Sequence, residues 1–154
     1  MTDRLTHLDE QGRAVMVDVS GKPVVRRAAV AEVLFHAAAE TLDRIMAGDL
    51  PKGEALAVAR LAGILAAKRV DVLIPLCHTL PLEHIDVSFE RSAPDAIRIE
   101  ATAVVTARTG VEMEALTAAN VAALTLWDMT KAIDTDLGID GTRLILKEKN
   151  VPDS

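Results

Sequence analysis

The sequence predicts an α+β fold of the split βαβ kind, an antiparallel sheet covered on one face by helices, with one helix beyond the minimal pattern. Three observations predict it. Apolar periodicities run in the order strand, two helices, two strands, helix, strand. The turn chemistry of Ser92-Ala93-Pro94-Asp95 joins the middle strands as an antiparallel hairpin. Half of the residues are hydrophobic but only 2% are aromatic, with no Tyr. The core must then be built from Ala, Val, Leu and Ile, whose small side chains suit close helix-on-sheet packing. At 154 residues the chain reads as one domain, 1–154, with loose ends over about 1–13 and 148–154.

Each element has its own justification. Ala14 to Val19 (AVMVDV) is a short strand or an extended arm, ended by Ser20-Gly21. From Val24 to Phe35, alternation places Arg27, Ala29, Ala31, Val33 and Phe35 on one face and predicts a strand, although the alanines favour a helix. His36 to Ala47 is a short amphipathic helix stopped by Gly48. Leu50 to Gly53 is a connector, and Glu54 to Arg69 is a second helix. In that helix Ala55, Ala59, Gly63 and Ala67 recur every four residues, a ridge that admits another backbone at close range, in the sheet or in a second subunit. Asp71 to Leu82 is a proline-containing connector too apolar for an exposed loop. Strands follow at Ile85 to Glu90 and Ala96 to Ala107, then a long helix from about Glu112 to Asp136, a stop at Gly138 and a last strand from Thr142 to Lys147. The sheet face away from the helices is expected to be rich in Val and Ile and to need a cover, which predicts oligomerisation.

Net charge is −6, from 17 basic and 23 acidic residues. That excludes a general nucleic-acid binder, which needs a basic face to release counterions, and stacking platforms for single strands are missing too. An anionic ligand would have to be met by locally gathered cations. The single Cys77 leaves no internal disulfide and no CxxC zinc motif. The polar start MTDRLTHLDEQGRA and the lack of a long apolar run predict a soluble cytoplasmic protein with no membrane contact. P-loop, GxGxxG, HExxH and nucleophile-elbow patterns do not occur.

The richest stretch chemically is Thr109 to Lys131. Glu112 and Glu114 open its helix, where negative charge complements the dipole. Asp128 and Lys131 stand three apart near its end and share a face. An exposed pair of this kind contributes only a few tenths of a kcal/mol to stability; its interest comes from polar groups elsewhere in apolar frames. His78 closes Pro75-Leu76-Cys77-His78, as a candidate acid or base or as a structural hydrogen-bonding group. Cys77 reads as a small buried hydrophobe rather than a nucleophile. Lys52 precedes a helix start, where its ammonium and free N–H groups could converge on one phosphate, or where it simply faces solvent. Of the other cations, Lys147 ends the last strand within reach of the loops, and Arg26 is a candidate anion binder; most of the rest read as exposed.

Taken together, Met16-Val-Asp-Val-Ser20, Lys52-Gly53, the block ARLAGILAAKR from Ala59 to Arg69, Leu73-Ile-Pro-Leu-Cys-His78, Thr109-Gly-Val-Glu-Met-Glu-Ala-Leu116 and Asp128-Met-Thr-Lys131 resemble the cyclic pyranopterin monophosphate synthase family. These lyases act second in molybdenum cofactor biosynthesis. The resemblance covers about residues 5 to 147; each block is weak alone, and their order and spacing together are specific.

The resemblance implies a ferredoxin-like fold and a hexamer of three dimers, with each active site shared across a dimer interface. It implies that 3′,8-cyclo-7,8-dihydro-GTP is converted to cyclic pyranopterin monophosphate with release of pyrophosphate. The family's catalytic groups map onto Asp128, Lys131, Lys52 and His78, and its substrate contacts onto Leu76, Cys77, His78, Met113 and Glu114, to which Glu112, Lys147 and Arg26 are added as charged candidates. No organic cofactor and no protein metal site are expected, and Mg²⁺ would arrive with the substrate phosphates. Two departures stand out. The family's Lys-Ser-Gly-Gly-Lys-Ser-Gly tail is replaced by Lys147-Glu148-Lys149-Asn150, and Thr79 follows His78 where many relatives have Pro. The alternative is a non-catalytic ligand-binding module on the same fold, which would not need to keep Lys52, His78, Asp128 and Lys131 together.

Overall fold

Alternation decides the first strand. In the computed structural model, which describes residues 7–150, β1 spans Val25–His36 and buries Ala29, Ala31, Val33 and Phe35 on one face. The remaining elements are α1 (Ala39–Ala47), α2 (Ala55–Ala67), α3 (Val70–Leu73), β2 (His84–Ala93), β3 (Ala96–Ala107), α4 (Glu112–Thr130) and β4 (Gly138–Asn150). The four strands form one sheet in the order β2-β3-β1-β4, with every neighbouring pair antiparallel. This is the split βαβ arrangement that the element order predicts. Residues 14–19 form no strand; they are an extended arm, with a single bridge between Leu8 and Ala14.

The core lies between the sheet and the pair α2 and α4. Val87 of β2 and Ile97, Ile99, Ala101, Ala103 and Val105 of β3 join the buried side of β1 beneath the helices. The ridge on α2 faces inward: Ala55, Ala59, Gly63 and Ala67 are all buried, and α4 presents Ala115, Ala118, Ala119 and Ala122 in the same cluster. A Cβ added at Gly63 would sit 2.8 Å from the Ala118 carbonyl oxygen and 3.0 Å from Val87 Cγ2. Both helix and strand would have to yield. Gly63→Ala is therefore expected to lower the stability measured by urea unfolding by about 1–3 kcal/mol, as overpacking does; an unchanged midpoint would show that the seam has slack.

The opposite sheet face is more mixed than expected. Most Val and Ile side chains of β1, β2 and β3 point toward the helices, and the alternate positions combine charged residues with Ala28, Val30, Leu34 and Val104. Glu32 of β1 is buried and accepts from Arg143 of β4 at 2.6 and 2.5 Å. Arg98 of β3 pairs with Glu90 of β2 and lies 3.9 Å from Glu100. Exposed apolar side chains gather on β4, as Leu144, Ile145 and Leu146, and on the outer side of α2, as Val58, Leu61 and Leu65. The only tryptophan, Trp127, is half-exposed near the end of α4.

Two elements have other bounds than expected. The last helix stops at Thr130 rather than near Asp136, because the Asp134 side chain is used as a cap. Its Oδ2 accepts from the Ala38 N–H at 2.9 Å and from Thr41 Oγ1 at 2.8 Å, supplying α1 with the N-terminal acceptor that Ala38 lacks. The last strand starts earlier and ends later than expected: β4 pairs with β1 from His36↔Gly138 to Arg26↔Asn150. Residues 148–150, expected to be loose, are thus strand; 151–154 and 1–6 lie outside the described residues. No helix among the described residues is long and apolar enough to cross a membrane.

Candidate active site

The expected site residues fall into two groups at the two ends of α4. At its start is a pocket of about 470 Å³. Leu76, Cys77 and His78 of the connector line one part, Gly110, Glu112, Met113 and Glu114 another, and Val17, Val19 and Lys22 of the arm a third. At the other end of the helix, Lys52 meets Asp128 and Lys131.

In the pocket, two carboxylates two residues apart are driven in opposite directions. Glu114 is only 4% exposed, and burial, assisted by the charges of Glu112 and Asp71, pushes its pKa up to about 7. Burial also acts to raise Glu112, but the hydrogen bond and charge of Lys147, with Arg27 nearby, outweigh it and leave this carboxyl below the usual range. Lys147 reaches Glu112 from β4 at 2.5 Å. Gly110 makes room for this, because a Cβ there would overlap the folded-back Glu112 carboxylate. The result is a fixed anion beside a carboxyl that can hold or release a proton near neutrality, the division of labour that acid–base sites use. Burial, then the Glu114 carboxylate, raises the Cys77 thiol, which agrees with the packing reading of that residue and not with a nucleophile.

Arg26 does not belong to this pocket. Strand alternation puts it on the sheet face away from the helices, exposed. Its neighbour Arg27 shares the face of Ala29, donates to the Arg108 carbonyl at 3.2 Å, and feels the Glu112 charge. Neither arginine lines the pocket. Lys22 does, and nothing in its local sequence marks it.

At the far end of α4, Lys131 Nζ lies 2.6 Å from one Asp128 oxygen and Lys52 Nζ 3.2 Å from the other. Lys52 Nζ also donates to the Asp128 carbonyl at 2.9 Å. Lys52 therefore serves the carbonyl end of α4, where a helix attracts cations, and not the N–H groups of α2 that it precedes in the chain. The hydrogen bonds and charges of Lys131 and then Lys52 hold the Asp128 carboxyl below its ordinary range. All three side chains are roughly half-exposed, so the cluster can meet an incoming anion.

Asp128 lies fourteen residues after Glu114, roughly 21 Å along a helix. His78 is consequently separated from Lys52, Asp128 and Lys131 within one protomer. Its Nε2 stands 2.7 Å from the Val17 carbonyl oxygen of the arm. Among the described residues, no three His, Cys, Asp or Glu side chains gather as a metal cluster would require.

Residues 16–150 match the model of the MoaC family. The chain is 55% identical over 146 residues to the cyclic pyranopterin monophosphate synthase of Chloroflexus aggregans (strain MD-66 / DSM 9485), an alignment covering 94% of this chain and 88% of that protein. The enzyme of the same name from Roseiflexus castenholzii (strain DSM 13941 / HLO8) is also 55% identical, over 93% of this chain and 91% of its own. On the sequence match over nearly its whole length, this chain belongs to the MoaC family.

Proposed function

We infer that the protein is a cyclic pyranopterin monophosphate synthase, a lyase of molybdenum cofactor biosynthesis acting on a small-molecule triphosphate in the cytoplasm. The observation that carries this is 55% identity over 94% of the chain to a protein of that name, together with an intact set of Lys52, His78, Asp128 and Lys131. The proposed reaction converts 3′,8-cyclo-7,8-dihydro-GTP to cyclic pyranopterin monophosphate and pyrophosphate. It uses no organic cofactor, and any Mg²⁺ enters with the triphosphate.

The two ends of α4 divide the work. Lys52 and Lys131 hold phosphate charge and stabilise it on the departing pyrophosphate, and Asp128 between them moves protons while the purine-derived ring opens and the pyrazine ring forms. The pocket at the helix start receives the ring system, with Met113 and Leu76 against its apolar surface and Glu112, Glu114 and Lys22 for its polar edges. A single substrate cannot span roughly 21 Å of helix. We therefore propose a hexamer of three dimers in which the Asp128 end of one protomer faces the Glu114 pocket of another. The exposed apolar stripe Val58, Leu61 and Leu65 supports association.

Incubation with the cyclised GTP intermediate, followed by mass spectrometry for the pterin product and a pyrophosphate assay, tests the reading. Absence of both products would overturn it in favour of a binding module. The lining of the pocket gives a sharper expectation: Lys22→Met should raise KM by about tenfold, as loss of a charge-assisted contact does. An unchanged KM would remove Lys22 from the site.

A further inference from the structure

Residues 7–22 run outside the sheet and its helices as an arm. The tip closes on itself: Asp9 Oδ1 accepts from the Gln11 and Arg13 N–H groups, each at 2.9 Å, and Leu8 bridges Ala14. Among the described residues, two hydrogen bonds tie the arm to the body. Arg108 Nε donates to the Lys22 carbonyl at 3.2 Å, and His78 Nε2 meets the Val17 carbonyl at 2.7 Å. Burial holds the arm only in part: Val17 and Val19 are half-buried, whereas Val15 and Met16 are exposed. Yet Val17 and Val19 line the 470 Å³ pocket together with Met113 and Glu114.

We propose that His78 is a positioning residue, whose imidazole straps the N-terminal arm across the pocket and sets the width of the cavity that receives the nucleotide-derived substrate. This rests on reading that pocket as the substrate site. The hydrogen bond has one direction only, because a carbonyl oxygen accepts and never donates. Nε2 must carry the hydrogen, and both the neutral Nε2–H tautomer and the imidazolium satisfy that condition. A histidine shuttling a proton through Nε2 would have to surrender the very hydrogen that holds Val17. The strap and the proton shuttle are therefore competing assignments for one atom.

The experiment compares His78→Ala with His78→Gln in the full chain. Glutamine restores an N–H donor at similar reach but cannot act as an acid or base near neutrality. Two readouts are taken: the initial rate of trypsin cleavage after Arg13, and steady-state kinetics with the cyclised GTP intermediate. Trypsin needs a few extended residues on either side of the cut, and Val17 lies in that window. In His78→Ala, cleavage is expected to accelerate and KM to rise, each by about tenfold, with kcat changing by less than about threefold, as loss of one hydrogen bond predicts. His78→Gln is expected to bring both measurements most of the way back. If His78→Gln loses kcat as completely as His78→Ala and neither changes the cleavage rate, the proposal is overturned and His78 acts by proton transfer. Should the wild-type protein itself fail to convert the nucleotide, the functional reading falls, and the cleavage comparison alone decides the strap.

Discussion

Asp128→Asn is expected to abolish pyrophosphate release, with turnover falling by about 10²–10⁴-fold, the usual yield of a positioned acid or base. The substitution keeps the shape of the side chain and removes its charge and basicity. In wild type that charge is shared by two ammonium groups, at 2.6 Å from Lys131 and 3.2 Å from Lys52. With Asn the two cations lose their common counterion but still have the α4 carbonyl end beside them. Because Asp128 is 58% exposed, the fold should not depend on it, and the urea midpoint and the oligomer measured by light scattering should match wild type. Near-normal turnover in this variant would remove Asp128 from the mechanism, and collapse of the oligomer would make its role architectural.

Glu114→Gln should change how stability varies with pH. Burial raises the Glu114 pKa from 4.5 to about 7 in the folded protein. Over that interval the folded state holds a proton that the unfolded chain releases, so wild-type stability falls as pH rises and levels off above about 7. The Gln variant never ionises and lacks this slope. Relative to wild type, the variant should gain stability between pH 4.5 and 8, by roughly 3 kcal/mol at most. Urea midpoints at pH 5 and pH 8 measure it. Parallel pH dependences in the two proteins would show that Glu114 stays solvated and is not the poised acid of the pocket.

Strand β1 and the two inner helices were legible because their signals are local and periodic: Ala29, Ala31, Val33 and Phe35 alternate, and Ala55, Ala59, Gly63 and Ala67 repeat every turn. What needed coordinates was everything set by a partner distant in sequence. Whether the Ala/Gly ridge packs within the protomer depends on α4, which lies some fifty residues downstream, at Ala118. The end of α4 depends on Asp134 being claimed by Ala38 and Thr41. The charges on the opposite sheet face escaped notice because Glu32, Arg98 and Arg143 each sit in a different strand, and only the register brings them together. At the site, the identities of Lys52, His78, Asp128 and Lys131 came from motif resemblance, which carries no distances. It therefore could not show that one helix holds His78 apart from the other three within a protomer.

Trp127 precedes Asp128 and is 37% exposed. As the protein's sole indole, its intrinsic fluorescence is an address label for the end of α4 proposed to bind phosphate. In the proposed assembly this end faces the Glu114 pocket of another protomer, so quenching or a spectral shift on adding the nucleotide or pyrophosphate would report occupancy of the shared site. The molecule would thus carry a built-in optical probe of that site that needs no added dye.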